Sequence, residues 1–361
     1  MLVKDKIKMI KGKKYAGSSL RDGKMYHDLP FEGLNSFKSH RSKTRDRIEQ
    51  IKRLVDVKRK SILDLGCSVG GISLGMIEAG ASMVTGIDYD NESIEVARES
   101  AKELGYYDRM TFTKENINIE MVKTFSLSGG YDIIIWLSQW MWCVKQYGIT
   151  ESKQLLFEVS HHAPIMIFES AADDGMAKIR GATQADIKKW LYKNTVYRTI
   201  EEHDSVGGWQ DRKLYVCTEP MINYSNRKVN TSSVLDRISP DKIKKRFVKP
   251  RKHLLHQEVK ALKKLEKFEH FPKVLEVGED YFVMTYAGHP IDRNAGEQVD
   301  EIMDALDKTG ISHNDIRVEN FLWNDRLMLI DFGKCTFEDE DKKFRIHQQK
   351  DKAEIKKIWT N

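Results

Sequence analysis

The chain has 361 residues, enough for two or at most three domains. Hydrophobic residues make up 40% and charged residues 32%, an ordinary globular balance with more charge than average. The formal charge of +6 suits nucleic acid, anionic nucleotides, a phosphorylated substrate or an anionic membrane surface, and is too modest to choose among them.

No apolar run approaches the roughly 18 residues of a membrane helix. The longest, Ile133 to Leu137, has the length of a buried strand. The N-terminus is basic (Lys4, Lys6, Lys8, Lys11, Lys13, Lys14) without the apolar core of a signal peptide, so a cytoplasmic protein is expected. Cys67, Cys143, Cys217 and Cys335 are scattered, with no CxxC pair, which argues against a zinc site or a disulfide framework. There is no internal repeat and no strong nucleic-acid signature.

Residues 1–50 read as a basic, partly helical lead-in. From residue 51 to 218, short apolar runs alternate with helical stretches. Predicted strands are Ser61–Leu65, Met83–Ile87, Met110–Thr113, Asp132–Leu137, Pro164–Glu169, Tyr197–Glu202 and Lys213–Cys217, and Ser93–Leu104 is a predicted helix. Such alternation implies an α/β domain, a mostly parallel sheet with helices on both faces. The last two strands read as a closing hairpin around Gly207 and Gly208, with one strand antiparallel. Residues 219–233 are polar and serve as the expected linker. Residues 234–361 have a different grammar, that of a smaller α+β domain. A basic strand (Lys242–Phe247) precedes a helix (His253–Phe268). The strands Lys273–Val277 and Tyr281–Met284, the helix Glu297–Thr309 and a hairpin of Phe321–Trp323 with Leu327–Ile330 follow, and a polar, helical end closes the chain.

Two motifs carry chemistry. In the first half, Ile62-Leu63-Asp64-Leu65-Gly66-Cys67-Ser68-Val69-Gly70-Gly71 runs a buried strand into a glycine-rich turn and a helix. A ligand can approach the backbone there. The next strand ends in Asp88, placed to hold two ribose hydroxyls. A pyrophosphate site wants G-x-G-x-x-G. Here Asp64 precedes Gly66-x-x-x-Gly70, and a carboxylate repels a pyrophosphate but pairs with an amino group. The pattern resembles the D-x-G-x-x-x-G motif of class I S-adenosylmethionine-dependent methyltransferases, a Rossmann-like family, with Ser68 where that family often has glycine. The resemblance implies that Asp64, Gly66, Ser68, Gly70 and Asp88 bind the cofactor. It also puts Glu115 or Asn116 near the adenine, with Asn116 better aligned. Trp136, Trp140 and Trp142 either wall the acceptor pocket or belong to the core. His161, His162 and His203 are candidate bases, and none stands in an obvious catalytic motif. This is weak evidence for an acceptor that is already anionic.

In the second half, His313-Asn314-Asp315-Ile316-Arg317-Val318-Glu319-Asn320 is followed by Asp331-Phe332-Gly333. This resembles the H-x-D-x-x-x-x-N loop and D-F-G motif of protein-kinase-like enzymes. The resemblance implies that Asp315 orients or deprotonates a hydroxyl, that Asn320 and Asp331 hold Mg2+, and that Arg317 touches the transferred phosphate. It further implies that Lys245 pairs with Glu258, with Lys244 as the alternative, and that a hinge including Met284 and Tyr286 receives the adenine of ATP. Ser225 to Lys244 contains no glycine, so no glycine-rich loop is present, and Ser232 and Ser233 are the substitutes considered. No A-P-E element follows Gly333. The module is a minimal kinase fold that suits a small or glycan acceptor better than a peptide.

The order of the two modules resembles the bifunctional kinase–methyltransferases that terminate bacterial O-antigen polysaccharides. Those enzymes phosphorylate a terminal sugar and methylate the phosphate, and they carry a long C-terminal coiled coil and a membrane-binding tail. The sequence in hand stops at Asn361, so the expectation is their chemistry without that ruler and anchor. A glycan or other hydroxyl-bearing acceptor is the implied partner.

Overall fold

The computed structural model describes residues 20–21, 24–34, 39–41, 43–125, 130–170, 187–206, 212–221, 233–247, 251–291 and 295–359. The lysines at positions 4 to 14, the Gly207–Gly208 turn, Ser232 and most of the expected linker lie outside them. The chain divides into two compact units, Met1–Pro220 and Met221–Asn361.

The first unit is built on seven strands: β1 (Ser61–Leu65), β2 (Met83–Asp88), β3 (Met110–Lys114), β4 (Ile133–Leu137), β5 (Ile165–Ser170), β6 (Tyr197–Asp204) and β7 (Lys213–Pro220). Their order is β3-β2-β1-β4-β5-β7-β6. β1 pairs in parallel with β2 and β4, and β7 runs antiparallel to both β5 and β6. The α/β expectation and the antiparallel closing strand are both met. Side chains on β1 and β4 alternate between two cores because successive residues of a strand face opposite sides. Ile62, Ile133 and Ile135 join one cluster, while Leu63, Ile134 and Trp136 join the other. With both faces covered, neither strand has a solvent side to present, which is why β4 reads as a continuous apolar run and β1 is interrupted only by the buried Asp64.

The helices of this unit are α1 (Thr44–Leu54), α2 (Gly71–Glu78), α3 (Asn91–Glu103), α4 (Ile119–Thr124), α5 (Trp140–Tyr147), α6 (Ile149–Ser160) and α7 (Ile187–Asn194). Asp90 starts α3 by accepting the Ser93 N–H at 3.2 Å, and Asn118 starts α4 by accepting that of Met121 at 2.8 Å. The lead-in differs from its expectation. It also contains three short strands (Leu20–Arg21, Lys24–His27, Ser39–Arg41), and α1 runs across residue 50. Ile48 and Ile51 of α1 are buried in the same cluster as Leu74 of α2, so the helix is part of the unit and not a leader to it.

The second unit opens with β8 (Ser233–Ser239), β9 (Lys242–Phe247), β10 (Val274–Val277) and β11 (Tyr281–Thr285), an antiparallel sheet of order β8-β9-β11-β10. α8 (Lys252–Lys264) connects β9 to β10. Next come β12 (His289–Pro290), α9 (Val299–Thr309), β13 (Ile311–Ser312), β14 (Phe321–Trp323), β15 (Leu327–Leu329), β16 (Thr336–Phe337) and α10 (Phe344–Trp359). The expected linker is shorter than 219–233, because Glu219 and Pro220 finish β7 and Ser233 begins β8. Helix α8 stops at Lys264, four residues before the expected Phe268. Among the described residues no helix is long and apolar enough to cross a membrane.

Candidate functional site

In the first unit the glycine turn lies at the carboxyl end of β1. Gly66 has φ +78°, and the Gly66 and Cys67 N–H groups both donate to the Ile87 carbonyl, at 2.7 and 3.1 Å. A Cβ on Gly66 would lie 2.1 Å from Cγ of Gln139, so only glycine lets that side chain lie on the turn. Gly70, at φ +79°, begins α2. Ser68 also adopts a left-handed backbone, φ +52°, which explains why glycine would suit its place.

Two carboxylates face this turn. Asp88 accepts the Ser68 N–H at 2.8 Å and the Asp90 N–H at 3.0 Å. Asp64 accepts the Ser73 hydroxyl at 2.5 Å. Burial raises both carboxyls, and Asp64 reaches about 6, with the nearby charge of Asp88 adding to the rise. The site therefore holds a carboxylate that a cation would relieve. Its Ser68 hydroxyl is buried with no hydrogen-bond partner among the described residues. These features fit a ligand with an ammonium and further polar groups at the turn. Beside the turn lies a cleft lined by Gly66, Asp88, Tyr89, Glu115, Asn116, Ile117, Gln139, Trp142, Cys143 and Gln146.

The structure separates the three tryptophans. Trp136 and Trp140 are core, the first edge-on to Phe168 at 5.9 Å and the second against Trp190 at 4.7 Å. Trp142 lines the cleft and is 36% exposed. None of the three histidines lines that cleft. His161 and His162 precede β5, at the end of the strands opposite the glycine turn, where the His162 carbonyl accepts the Tyr131 N–H. Burial, helped by His161, pushes the His162 imidazole down to about 4. His203 stands on edge strand β6, 3.5 Å from Glu201.

A polar cluster that the sequence reading missed lies at the ends of β4 and β5. Glu169, fully buried, accepts from Arg47 of α1 at 2.5 Å and from the Ser138 and Ser205 hydroxyls, and Arg212 lies 3.5 Å away. Burial alone would raise this carboxyl, but Arg47, the two hydroxyls and Arg212 more than offset it and hold it at about 2. No local pattern announces the cluster, because Arg47 is 122 positions from Glu169.

In the second unit Lys245 sits between two acids. Its ammonium is 2.9 and 2.7 Å from the oxygens of Glu258 on α8 and 2.9 Å from Asp331. Strand alternation decides between the two lysines. Lys245 pairs across from Phe282 and points inward, whereas Lys244 lies outside, 3.6 Å over the Tyr281 ring. Burial works against the charge on Lys245, yet Glu258 and Asp331 together keep its pKa above the ordinary lysine range.

The residues of the H-x-D-x-x-x-x-N motif lie nearby. His313 is buried, with Nε2 2.9 Å from the Ile330 carbonyl and its ring against Phe332 at 4.7 Å. Asn320 donates to the Asp315 carbonyl at 2.8 Å. Asp331 takes the left-handed φ of +68°, and its side chain remains 40% exposed. Arg317 lies 3.5 Å from Asp315. Asn320 and Asp331 offer one amide and one carboxylate. Among the described residues no group of three His, Cys, Asp or Glu side chains is placed to hold a metal. The donor set fits a Mg2+ that arrives on a triphosphate.

Met284 and Tyr286 are buried in the unit's core, and the Arg237 guanidinium lies 3.6 Å over the Tyr286 ring. The Tyr286 N–H donates to the Asp241 carbonyl, and its own carbonyl accepts from Asn324. Ser233, one of the two serines considered as phosphate cover, pairs with Phe247 in the sheet.

Two functional candidates were missed here. Asp351 of α10, buried, accepts from Ser312 at 2.7 Å and from the His313 and Asn314 N–H groups at 2.6 and 3.1 Å, which fixes the loop backbone. Lys334, directly after the D-F-G motif, lies 3.1 Å from Asp315.

Residues 56–215 match the family model described as a methyltransferase domain. Over 331 aligned positions the chain is 27% identical to an O-antigen chain terminator bifunctional methyltransferase/kinase, WbdD, of Escherichia coli, covering 78% of this chain and 46% of the relative. The chain thus spans about half the length of the curated relatives of this kind that it matches. A ribosomal protein L11 methyltransferase of Tolumonas auensis is 36% identical over 56 residues, covering 16% of this chain and 19% of that protein. A solved structure of the bifunctional kinase–methyltransferase WbdD aligns with a TM-score of 0.47 at 20% identity, covering 87% of this chain and 80% of that one. The first unit carries a methyltransferase domain, and the chain resembles the bifunctional methyltransferase/kinase enzymes of the O-antigen chain-terminator type.

Proposed function

We propose that the chain carries two transferase activities that act in sequence. The second unit transfers the terminal phosphoryl of Mg·ATP to a hydroxyl, and the first unit methylates the resulting phosphate with S-adenosylmethionine. A glycan is the favoured acceptor, because the WbdD relatives are described as O-antigen chain terminators. Both cosubstrates are cytoplasmic metabolites, and the reading puts the chain in that compartment. The observation that carries it is the assembled set in the second unit: Lys245 with Glu258 and Asp331, and Asp315 with Asn320.

Each residue has a role on this reading. Asp315 orients the hydroxyl and takes its proton. Lys245 pairs with the nucleotide phosphates, Asn320 and Asp331 hold Mg2+, Arg317 reaches the transferred group, and Met284 and Tyr286 border the adenine. In the first unit Asp64 pairs with the methionine ammonium. Asp88 holds the ribose, Glu115 and Asn116 border the adenine, and Gly66, Ser68 and Gly70 form the turn beneath. S-adenosylmethionine supplies an electrophilic methyl group. The protein aligns the acceptor and excludes water. A phosphate monoester is already anionic near neutral pH, so no general base is needed.

The order of the two reactions is testable. Asp315→Ala should abolish both phosphorylation and methylation of an unphosphorylated glycan, measured with radiolabelled ATP and S-adenosylmethionine. A pre-phosphorylated acceptor should restore methylation. Methylation of the unphosphorylated acceptor without ATP would leave a methyltransferase whose second unit only binds or regulates.

A further inference from the structure

Asp315 is flanked by two cations. Arg317 Nη2 lies 3.5 Å from one carboxylate oxygen, and Lys334 Nζ lies 3.1 Å from the other. Lys334 belongs to neither sequence motif. It ends the short 3-10 turn Phe332–Lys334 that follows Asp331. Its backbone is fixed, because its carbonyl accepts from Asn314 Nδ2 at 3.1 Å. Its side chain is 64% exposed and ends on the Asp315 carboxylate.

The charge inventory asks for such a residue. Glu258, Asp315 and Asp331 bring three carboxylates together, and Lys245, Arg317 and Lys334 bring three cations. Without Lys334 the site is net negative before a triphosphate enters. The stretch from Ser225 to Lys244 contains no glycine, so a glycine-rich loop of backbone N–H donors does not supply the missing positive potential. A phosphoryl group delivered to a hydroxyl at Asp315, with its Mg2+ at Asp331, comes to a place where the ammonium of Lys334, three positions after Asp331, already pairs with Asp315.

We propose that Lys334 is a further catalytic residue of the second unit, an ammonium that leaves Asp315 for the γ-phosphate when Mg·ATP binds. This rests on the phosphotransferase reading of that unit. In the step, the bond between the γ-phosphorus and the bridging oxygen of ADP breaks as the acceptor oxygen bonds to phosphorus. The hydroxyl proton passes to Asp315, and the electron pair leaves with ADP. Lys334 stays protonated and offsets charge on the transferred oxygens.

The test uses the full chain and compares wild type with Lys334→Ala, Lys334→Arg and Asp331→Ala. ADP release from Mg·ATP gives turnover, and calorimetry gives the affinities of Mg·ADP and of a non-hydrolysable Mg·ATP analogue. Lys334→Ala should lower turnover at least about tenfold and weaken the triphosphate analogue, while Mg·ADP affinity stays within about twofold. Lys334→Arg should recover most of the turnover. Unchanged turnover in Lys334→Ala, or equal weakening of both nucleotides, would overturn the assignment. A wild type that binds the Mg·ATP analogue no better than Asp331→Ala does would instead remove the phosphotransferase reading, and this inference with it.

Discussion

The two units bury charge in opposite ways. In the first, one carboxylate, Glu169, sits among two guanidiniums and two hydroxyls. In the second, one ammonium, Lys245, sits between two carboxylates. The decisive difference is closure. Glu169 is fully buried, and its partners are all supplied by its own unit, from α1, from the residue after β4, from the residue after β6 and from Arg212 before β7. Such a cluster holds the end of a sheet together. The Lys245 cluster is closed on the Glu258 side and open on the other, where Asp331 keeps 40% of its side-chain surface exposed. A carboxylate held on one side by Lys245 and exposed on the other is what a cation-bearing ligand needs.

The contrast breaks most visibly if the open cluster proves structural. Asp331→Ala should cut magnesium-dependent ATP turnover by about 10³-fold or more, since metal ions supply several kcal/mol of transition-state charge stabilisation. Its stability should fall by no more than about 1–2 kcal/mol, the cost of alanine in the left-handed backbone at that position, because Lys245 keeps Glu258. A loss of stability without a loss of turnover would make the two clusters alike.

Glu169→Gln should do the reverse and destabilise the first unit by about 3–5 kcal/mol, because two buried guanidiniums lose their carboxylate. Urea unfolding followed by tryptophan emission reads this, and a change below about 1 kcal/mol would contradict the account. The same group makes a pH prediction. Its folded pKa, about 2, lies below the unfolded value, so its contribution is complete above about pH 4.5 and is lost as the pH falls towards 2. Acid unfolding of Glu169→Gln should therefore lack that part of the wild-type transition.

The smallest expected effect belongs to Asp64. Its carboxyl is raised to about 6, so a proton competes with a ligand ammonium below that pH. The affinity for S-adenosylhomocysteine should rise as the pH rises through about 6 and be about tenfold weaker at pH 5. Calorimetry across that range checks it, and a flat profile would place the ammonium elsewhere.

Much of the fold was legible because its signals are local. The apolar runs of β1 and β4 are encoded within a few residues, and the glycine turn announces the place of Asp64 and Asp88. The spacing from His313 to Asn320 and on to Asp331 likewise marks the second site. The tryptophans were not separable, because Trp136, Trp140 and Trp142 share one short stretch and only the packing of Phe168 and Trp190 assigns two of them to the core. The role of α1 was hidden as well, since Arg47 falls in the stretch read as a basic lead-in and is in fact buried on Glu169.

The sequence by itself determined the elements, the two-unit division and the residue types at each candidate site, because backbone preference and periodicity act over one or two turns of chain. Tertiary structure decided which charges meet. Asp351 fixes the backbone of a loop that lies 38 positions before it at His313, Lys334 rather than a glycine-rich loop faces Asp315, and Arg47, 122 positions away, joins Arg212 in neutralising Glu169. Those pairings follow from distance and desolvation in the folded chain, which sequence separation does not measure.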